Sequence, residues 1–96
     1  MQWEVVFHPD FDPEFERLDA ETQDELLAQL IVLREFGPKL GRPKVDTLNA
    51  SMHANMKELR FRQGDGVWRF AFAFDLRRRA IVLCGGDKTG KNEKRF

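Results

Sequence analysis

A chain of 96 residues has room for one small domain and too little for a complete nucleotide-hydrolysing domain with a multi-strand parallel sheet. With 42% hydrophobic and 33% charged residues it reads as a globular protein, and no apolar run approaches the roughly 18 residues of a membrane span. The formal charge of zero hides an asymmetry: residues 1–36 carry ten acidic and two basic side chains, net −8, and residues 37–96 carry fourteen basic and six acidic ones, net +8. One half repels phosphate and the other attracts it, as expected of a domain that offers one face to a polyanion. Met1-Gln2-Trp3-Glu4 lacks the basic segment and apolar stretch of a signal peptide, and the single Cys84 cannot form an internal disulfide, so a cytoplasmic location is expected.

Along the chain, Trp3 to Phe7 is a β-branched and aromatic run closed by His8-Pro9-Asp10, which predicts a first strand. Asp12 before Pro13 predicts an N-cap with proline at the first helical position, and Phe11, Phe15 and Leu18 give that short helix an apolar side. Thr22 and Glu25 have capping-box spacing, so a second helix is expected to begin there. Its Leu26, Leu27, Leu30, Ile31, Leu33 and Phe36 recur every three or four residues until Gly37-Pro38 ends it. Residues 37–55, with Pro38, Gly41, Pro43 and Asn49, predict a long connection with room for a short helical turn. Three strand signals follow: Met56 to Phe61, then Gln63-Gly64-Asp65-Gly66 as a turn into Val67 to Asp75, then Leu76 to Arg79 as a second turn into Ala80 to Cys84. That is an antiparallel meander, and nothing marks a second domain within residues 1–96.

Side chains alternate along a strand, so Trp68, Phe70, Phe72 and Phe74 share one side and Arg69, Ala71, Ala73 and Asp75 the other. The aromatic side, joined by Leu59 and Phe61, should bury against the helices. Glu58, Arg60 and Arg62 should then lie beside Arg69 on an open face floored by alanines.

Gly85 to Lys91 fits G-x-x-x-x-G-K, yet the position that should offer a Ser or Thr hydroxyl to magnesium is Asn92, and only Glu93 to Phe96 follow. No nucleotide cofactor is therefore expected. The glycines are expected to let the chain turn off the last strand, with Lys88, Lys91, Lys94 and Arg95 tracking a nucleic-acid backbone beside Arg60, Arg62 and Arg69. His8 and His53 are isolated, so no metal site is expected, although His53 precedes the first meander strand and could serve as an acid or base on its open face.

The stretches Met56-Lys57-Glu58-Leu59-Arg60-Phe61, Val67-Trp68-Arg69-Phe70-Ala71-Phe72 and Ile81 to Gly90, in the order strand, two helices, loop and meander, resemble the RelE/ParE superfamily of type II toxins, closest to its phage-derived HigB-like branch. The resemblance covers essentially the whole chain. It implies an α+β, microbial-RNase-like fold with two N-terminal helices packed on one face of an antiparallel sheet, and a ribosome-dependent endoribonuclease acting on mRNA. It also implies inhibition by a small helix-turn-helix antitoxin of the HigA type, and no cofactor. By this resemblance Arg69 is the foremost catalytic residue, Arg60 binds phosphate, Lys57 and Lys88 are candidate bases or charge stabilisers, and Arg62 and Lys91 hold RNA backbone. Many RelE-like toxins use a tyrosine near the C-terminus and continue into a C-terminal helix, whereas this sequence has no tyrosine and stops at Lys94-Arg95-Phe96. Either the sequence is truncated before that helix or the catalytic set differs. The alternatives are a ParE-like toxin that inhibits DNA gyrase without cleaving nucleic acid, and an inactive relic that retains only antitoxin binding.

Overall fold

The N-terminal run folds as β1 (Glu4–Phe7) and is followed by α1 (Asp12–Arg17) and α2 (Ala20–Phe36). The chain then makes a single 3-10 turn (Gly37–Lys39) before β2 (Val45–Thr47), β3 (Met56–Gln63), β4 (Gly66–Phe74) and β5 (Arg79–Asp87). This computed structural model describes residues 2–47 and 56–87, except for the side chain of Asp87. The strands form one sheet in the order β1-β5-β4-β3-β2.

The α+β class is as expected, but the sheet is mixed: β1 lies parallel to β5, while the other three pairs are antiparallel. A parallel pair needs a long crossover, and here the crossover is everything between β1 and β5. The connection at residues 37–55 supplies both the expected helical turn and the unforeseen β2, a three-residue strand too short to carry a periodic signal.

Local chemistry sets the helix ends. Phe11 occupies the N-cap position of α1, with Asp12 in the first turn instead of before it. The capping-box expectation fails in a similar way. Asp19, not Thr22, is the N-cap of α2, accepting the Thr22 backbone N–H at 3.3 Å, and Thr22 is buried inside the helix. At the other end Gly37 takes φ 56°, and a Cβ there would stand 2.5 Å from the Trp3 indole, so the stop requires glycine. Of the six apolar residues expected to line α2, Leu26, Leu30 and Leu33 enter the core, whereas Leu27, Ile31 and Phe36 are exposed.

Both meander turns form. Gly64, at φ 61°, takes the first central position of the two-residue β3–β4 hairpin, as a type II′ turn demands. In the β4–β5 turn Asp75 Oδ1 accepts the backbone N–H groups of Arg77 and Arg79, both at 2.9 Å, and Asp75 Oδ2 takes the Arg79 guanidinium at 2.7 Å. Burial opposes ionisation of Asp75, but the hydrogen bonds from Arg79 and Arg77 outweigh it and hold its carboxyl below the ordinary 3.8. Arg78, at φ 62°, rests its guanidinium 4.9 Å from the centre of the Trp3 ring.

The core lies between the helices and one sheet face. Phe70 is its hub: Phe11 meets it edge-on at 5.8 Å, and Phe61 and Trp68 stack on it at 5.7 and 6.1 Å. The aromatic face of β4 thus packs as the alternation predicts, with Phe70 and Phe72 buried and Trp68 and Phe74 packed at the margins.

Candidate nucleic-acid interface

The β3–β4 ladder sets the cationic face. Arg60 is paired directly with Arg69, Glu58 with Ala71, and Arg62 with Val67. Side chains directly opposite on an antiparallel pair share a face, so Glu58, Arg60, Arg62 and Arg69 all lie opposite the aromatic core. On the other side of β4 the register shifts between Ala71 and Phe72, leaving Leu83 unmatched. That bulge changes which β5 residues face which side: Gly86 falls in the row of Arg60 and Arg69, and Gly85 falls opposite Phe70.

The glycine-rich segment thereby acquires a different explanation. Gly85 and Gly86 lie within β5, not in a turn leaving it. A Cβ on Gly85 would sit 2.1 Å from the Phe70 ring, so the hub of the core excludes any side chain there. The Gly85 N–H donates to Glu14 Oε1 at 3.2 Å, tying β5 to α1.

Glu58 is the residue whose importance composition and spacing did not reveal. It is only 6% exposed, and its Oε1 lies 3.0 Å from Arg69 Nε. Both atoms are buried, and neither has an aligned hydrogen bond, so the pair is held by charge at contact distance and not by an in-line N–H···O bond. Ala71, in the same row, is 1% exposed, which corrects the expectation of an open alanine floor: the floor is covered at its centre and the arginines stand around it. The alternation that placed Glu58 on this face was visible in the sequence, whereas its burial was not.

Lys57 is not brought to this cluster. Its register partner is Phe72, on the core-side face, and its Nζ donates to Thr47 Oγ1 at 3.3 Å on the neighbouring edge strand. The same alternation that puts Leu59 and Phe61 in the core puts Lys57 on their side. Arg62 is exposed at the end of β3. Lys88, Lys91, Lys94, Arg95 and His53 lie outside the described residues, as do all but the first three positions of the Gly85–Lys91 motif. Near the cluster, Asp46 on β2 is held below the ordinary carboxyl value of 3.8 by the Thr47 backbone N–H and by Arg42, with a smaller contribution from the charge of Arg60.

A family model described as phage derived protein Gp49-like (DUF891) matches residues 13–95. The chain belongs to this Gp49-like family. It falls in the HigB-like branch of the RelE/ParE superfamily, in agreement with the sequence resemblance. Two Mycobacterium tuberculosis (strain ATCC 25618 / H37Rv) proteins, assigned as toxins HigB2 and HigB3, are similar to the Gp49-like chain. It is 51% identical to the first over 77% of its own length and 37% of the relative's, and 42% identical to the second over 96% and 78%. The chain therefore spans little more than a third of the first relative. A double-arginine mutant of the Escherichia coli toxin RelE in the free state aligns with a TM-score of 0.70 at 16% identity, covering 98% of this chain and 87% of that one. The archaeal RelE–RelB complex from Pyrococcus horikoshii OT3 aligns with a TM-score of 0.65 at 17% identity, covering 95% and 100%. At such identities the likeness establishes the RelE fold of this Gp49-like chain.

Proposed function

We propose that this Gp49-like protein is the toxin of a type II toxin-antitoxin system and a ribosome-dependent endoribonuclease that cleaves mRNA in the cytoplasm. The observation that carries the reading is the Arg60–Arg69 pair on the sheet face opposite the helices, with the Glu58 carboxylate held against Arg69. Its relationship to proteins assigned as HigB toxins supports it.

The chemistry follows from the groups on that face. Two guanidinium groups bind a phosphodiester and neutralise the charge that builds on its oxygens as it becomes five-coordinate. The adjacent 2′-hydroxyl attacks phosphorus; its proton passes to a base, the O2′–P bond forms, the P–O5′ bond breaks, and a proton returns to O5′. The products are a 2′,3′-cyclic phosphate and a 5′-hydroxyl. In this reading Glu58, the carboxylate nearest the guanidinium pair, takes the proton and also positions Arg69, a role the sequence resemblance gave to Lys57 or Lys88. Arg62 and the lysines and arginine from Lys88 to Arg95 hold RNA backbone. A small helix-turn-helix antitoxin of the HigA type, with an acidic segment over Arg60, Arg62 and Arg69, would silence it.

Primer extension on messages translated in vitro tests the proposal, with Arg69→Ala beside the natural chain. Codon-dependent cuts that vanish in the variant support the nuclease. Intact message together with inhibited DNA supercoiling would sink it in favour of a gyrase inhibitor, and neither effect would leave an antitoxin-binding relic.

A further inference from the structure

The Glu58–Arg69 contact is a poor version of what its two groups can make. An arginine and a carboxylate pair best through two parallel N–H···O bonds, whereas here Glu58 Oε1 and Arg69 Nε approach to 3.0 Å and neither atom has an aligned hydrogen bond. Taking two charges out of water without such bonds is costly, so the pair gains little from this arrangement. Its members are also unequally covered: 7% of the Glu58 side chain is exposed against 23% of that of Arg69, so the guanidinium still reaches solvent while the carboxylate is shut in. Arg60 stands directly opposite Arg69 on the same face, and side chains so placed start about 4.5–5.5 Å apart. Two guanidinium groups at that spacing repel unless an anion lies between them. Asp46, opposite Glu58 on β2, is already engaged by Arg42 at 3.2 Å and by the Thr47 backbone N–H at 2.8 Å, which leaves Glu58 as the counter-ion of Arg69.

We propose that the Glu58 carboxylate is a placeholder for the substrate phosphate: it holds Arg69 on the sheet face in the free chain and gives the guanidinium up when a phosphodiester arrives. The inference rests on the phosphodiester-binding step of the ribonuclease reading and adds to it an order of events. An RNA phosphate offers two unesterified oxygens, which take two N–H groups of Arg69 at once, and its charge then lies between Arg69 and Arg60. That exchange replaces a misaligned contact by aligned ones. It also releases the carboxylate beside the bound nucleotide, where it accepts the 2′-hydroxyl proton; as long as Glu58 is held by Arg69 it is withdrawn from that role. Binding and proton transfer are thereby coupled through one side chain. A Glu58 that served only as a permanent brace would have the reverse effect on affinity. Loss of a brace loosens Arg69 and weakens binding, whereas loss of a competitor strengthens it, so the direction of the change separates the two.

The probe is a single-stranded DNA oligonucleotide of about ten nucleotides, which has phosphates but no 2′-hydroxyl to react. Its affinity for the full chain is measured by fluorescence anisotropy at fixed salt, for the natural sequence and for Glu58→Gln, with thermal unfolding as the check that the variant is folded. The expected result is binding about tenfold tighter in Glu58→Gln, together with slower cleavage of translated messages: a lower KM and a lower kcat. In the natural chain the NMR signals of the Arg69 Nε–H and of the Glu58 carboxyl carbon should both move as the oligonucleotide is added. Equal or weaker binding by folded Glu58→Gln overturns the placeholder and leaves the nuclease standing. An Arg69 signal that moves while the Glu58 signal stays does the same, whether or not the variant folds. Tighter binding in Glu58→Gln without any cleavage by the natural chain supports the placeholder and overturns the nuclease. An oligonucleotide that binds neither protein overturns the exchange as well.

Discussion

Glu58 Oε1 lies 3.0 Å from Arg69 Nε, and Arg60 faces the same arginine from across the β3–β4 ladder. If this cluster is the reaction centre, Arg69→Ala lowers message cleavage by about 10²–10³-fold, the usual effect of removing one donor that stabilises transition-state charge. The substitution also leaves a buried carboxylate without its cation, at a cost of roughly 3–5 kcal/mol, so a urea melt belongs beside the activity measurement. A loss of activity below tenfold in a folded variant would move the chemistry elsewhere.

Gly85→Ala places a methyl group against the Phe70 ring and should destabilise by about 1–3 kcal/mol, as overpacking of a core does. Thermal unfolding would show it as a fall of about 4–8 °C per kcal/mol at this chain length. Shortening the ring as well, in Gly85→Ala with Phe70→Leu, should cost less than the sum of the two single changes. Additive costs would mean that the two positions do not compete for the same space.

Phe11 is fully buried and touches Phe7, Phe15 and Phe70. Phe11→Ala should remove about 3–5 kcal/mol, a large part of the roughly 5–15 kcal/mol that holds a small domain together. Denaturant titration monitored by tryptophan fluorescence would show the midpoint shift, and a loss below 1 kcal/mol would contradict its place in the core.

The carboxyl of Asp75 is held below its ordinary 3.8, so its ionised form is favoured by folding. Its contribution is fully present above about pH 4 and is lost as the pH falls through the lowered value. Asp75→Asn should therefore be less stable than the natural chain near neutrality, with the two curves converging below pH 4. A gap between them that does not change with pH would assign the effect to turn geometry alone.

Much of the fold could be read in the sequence because it rests on periodic burial: the aromatic alternation of β4, the glycine at φ 61° in the first hairpin and the stop at Gly37 each leave a local mark. What could not be read depends on tertiary pairing. β2 has only three residues, the parallel contact of β1 with β5 is not local, and the bulge at Leu83 decides which glycine faces the core and which faces the arginines. In the candidate site, alternation put Glu58, Arg60, Arg62 and Arg69 together, and it also separated Lys57 from them. It could not show that Glu58 is buried against Arg69, because burial depends on what the rest of the chain covers.

The parallel pairing of β1 with β5 also bears on biosynthesis. Val5 meets Ala80, and Phe7 meets Val82, across almost the whole length of the described chain. A nascent chain that has not yet released β5 from the ribosome offers β1 no partner and Phe70 no packed glycine opposite it. Such non-local closure is slow compared with local hairpins. The Arg60–Arg69 ladder would then gain a folded core behind it only once the chain as far as β5 has left the ribosome, however early β3 and β4 have formed their hairpin.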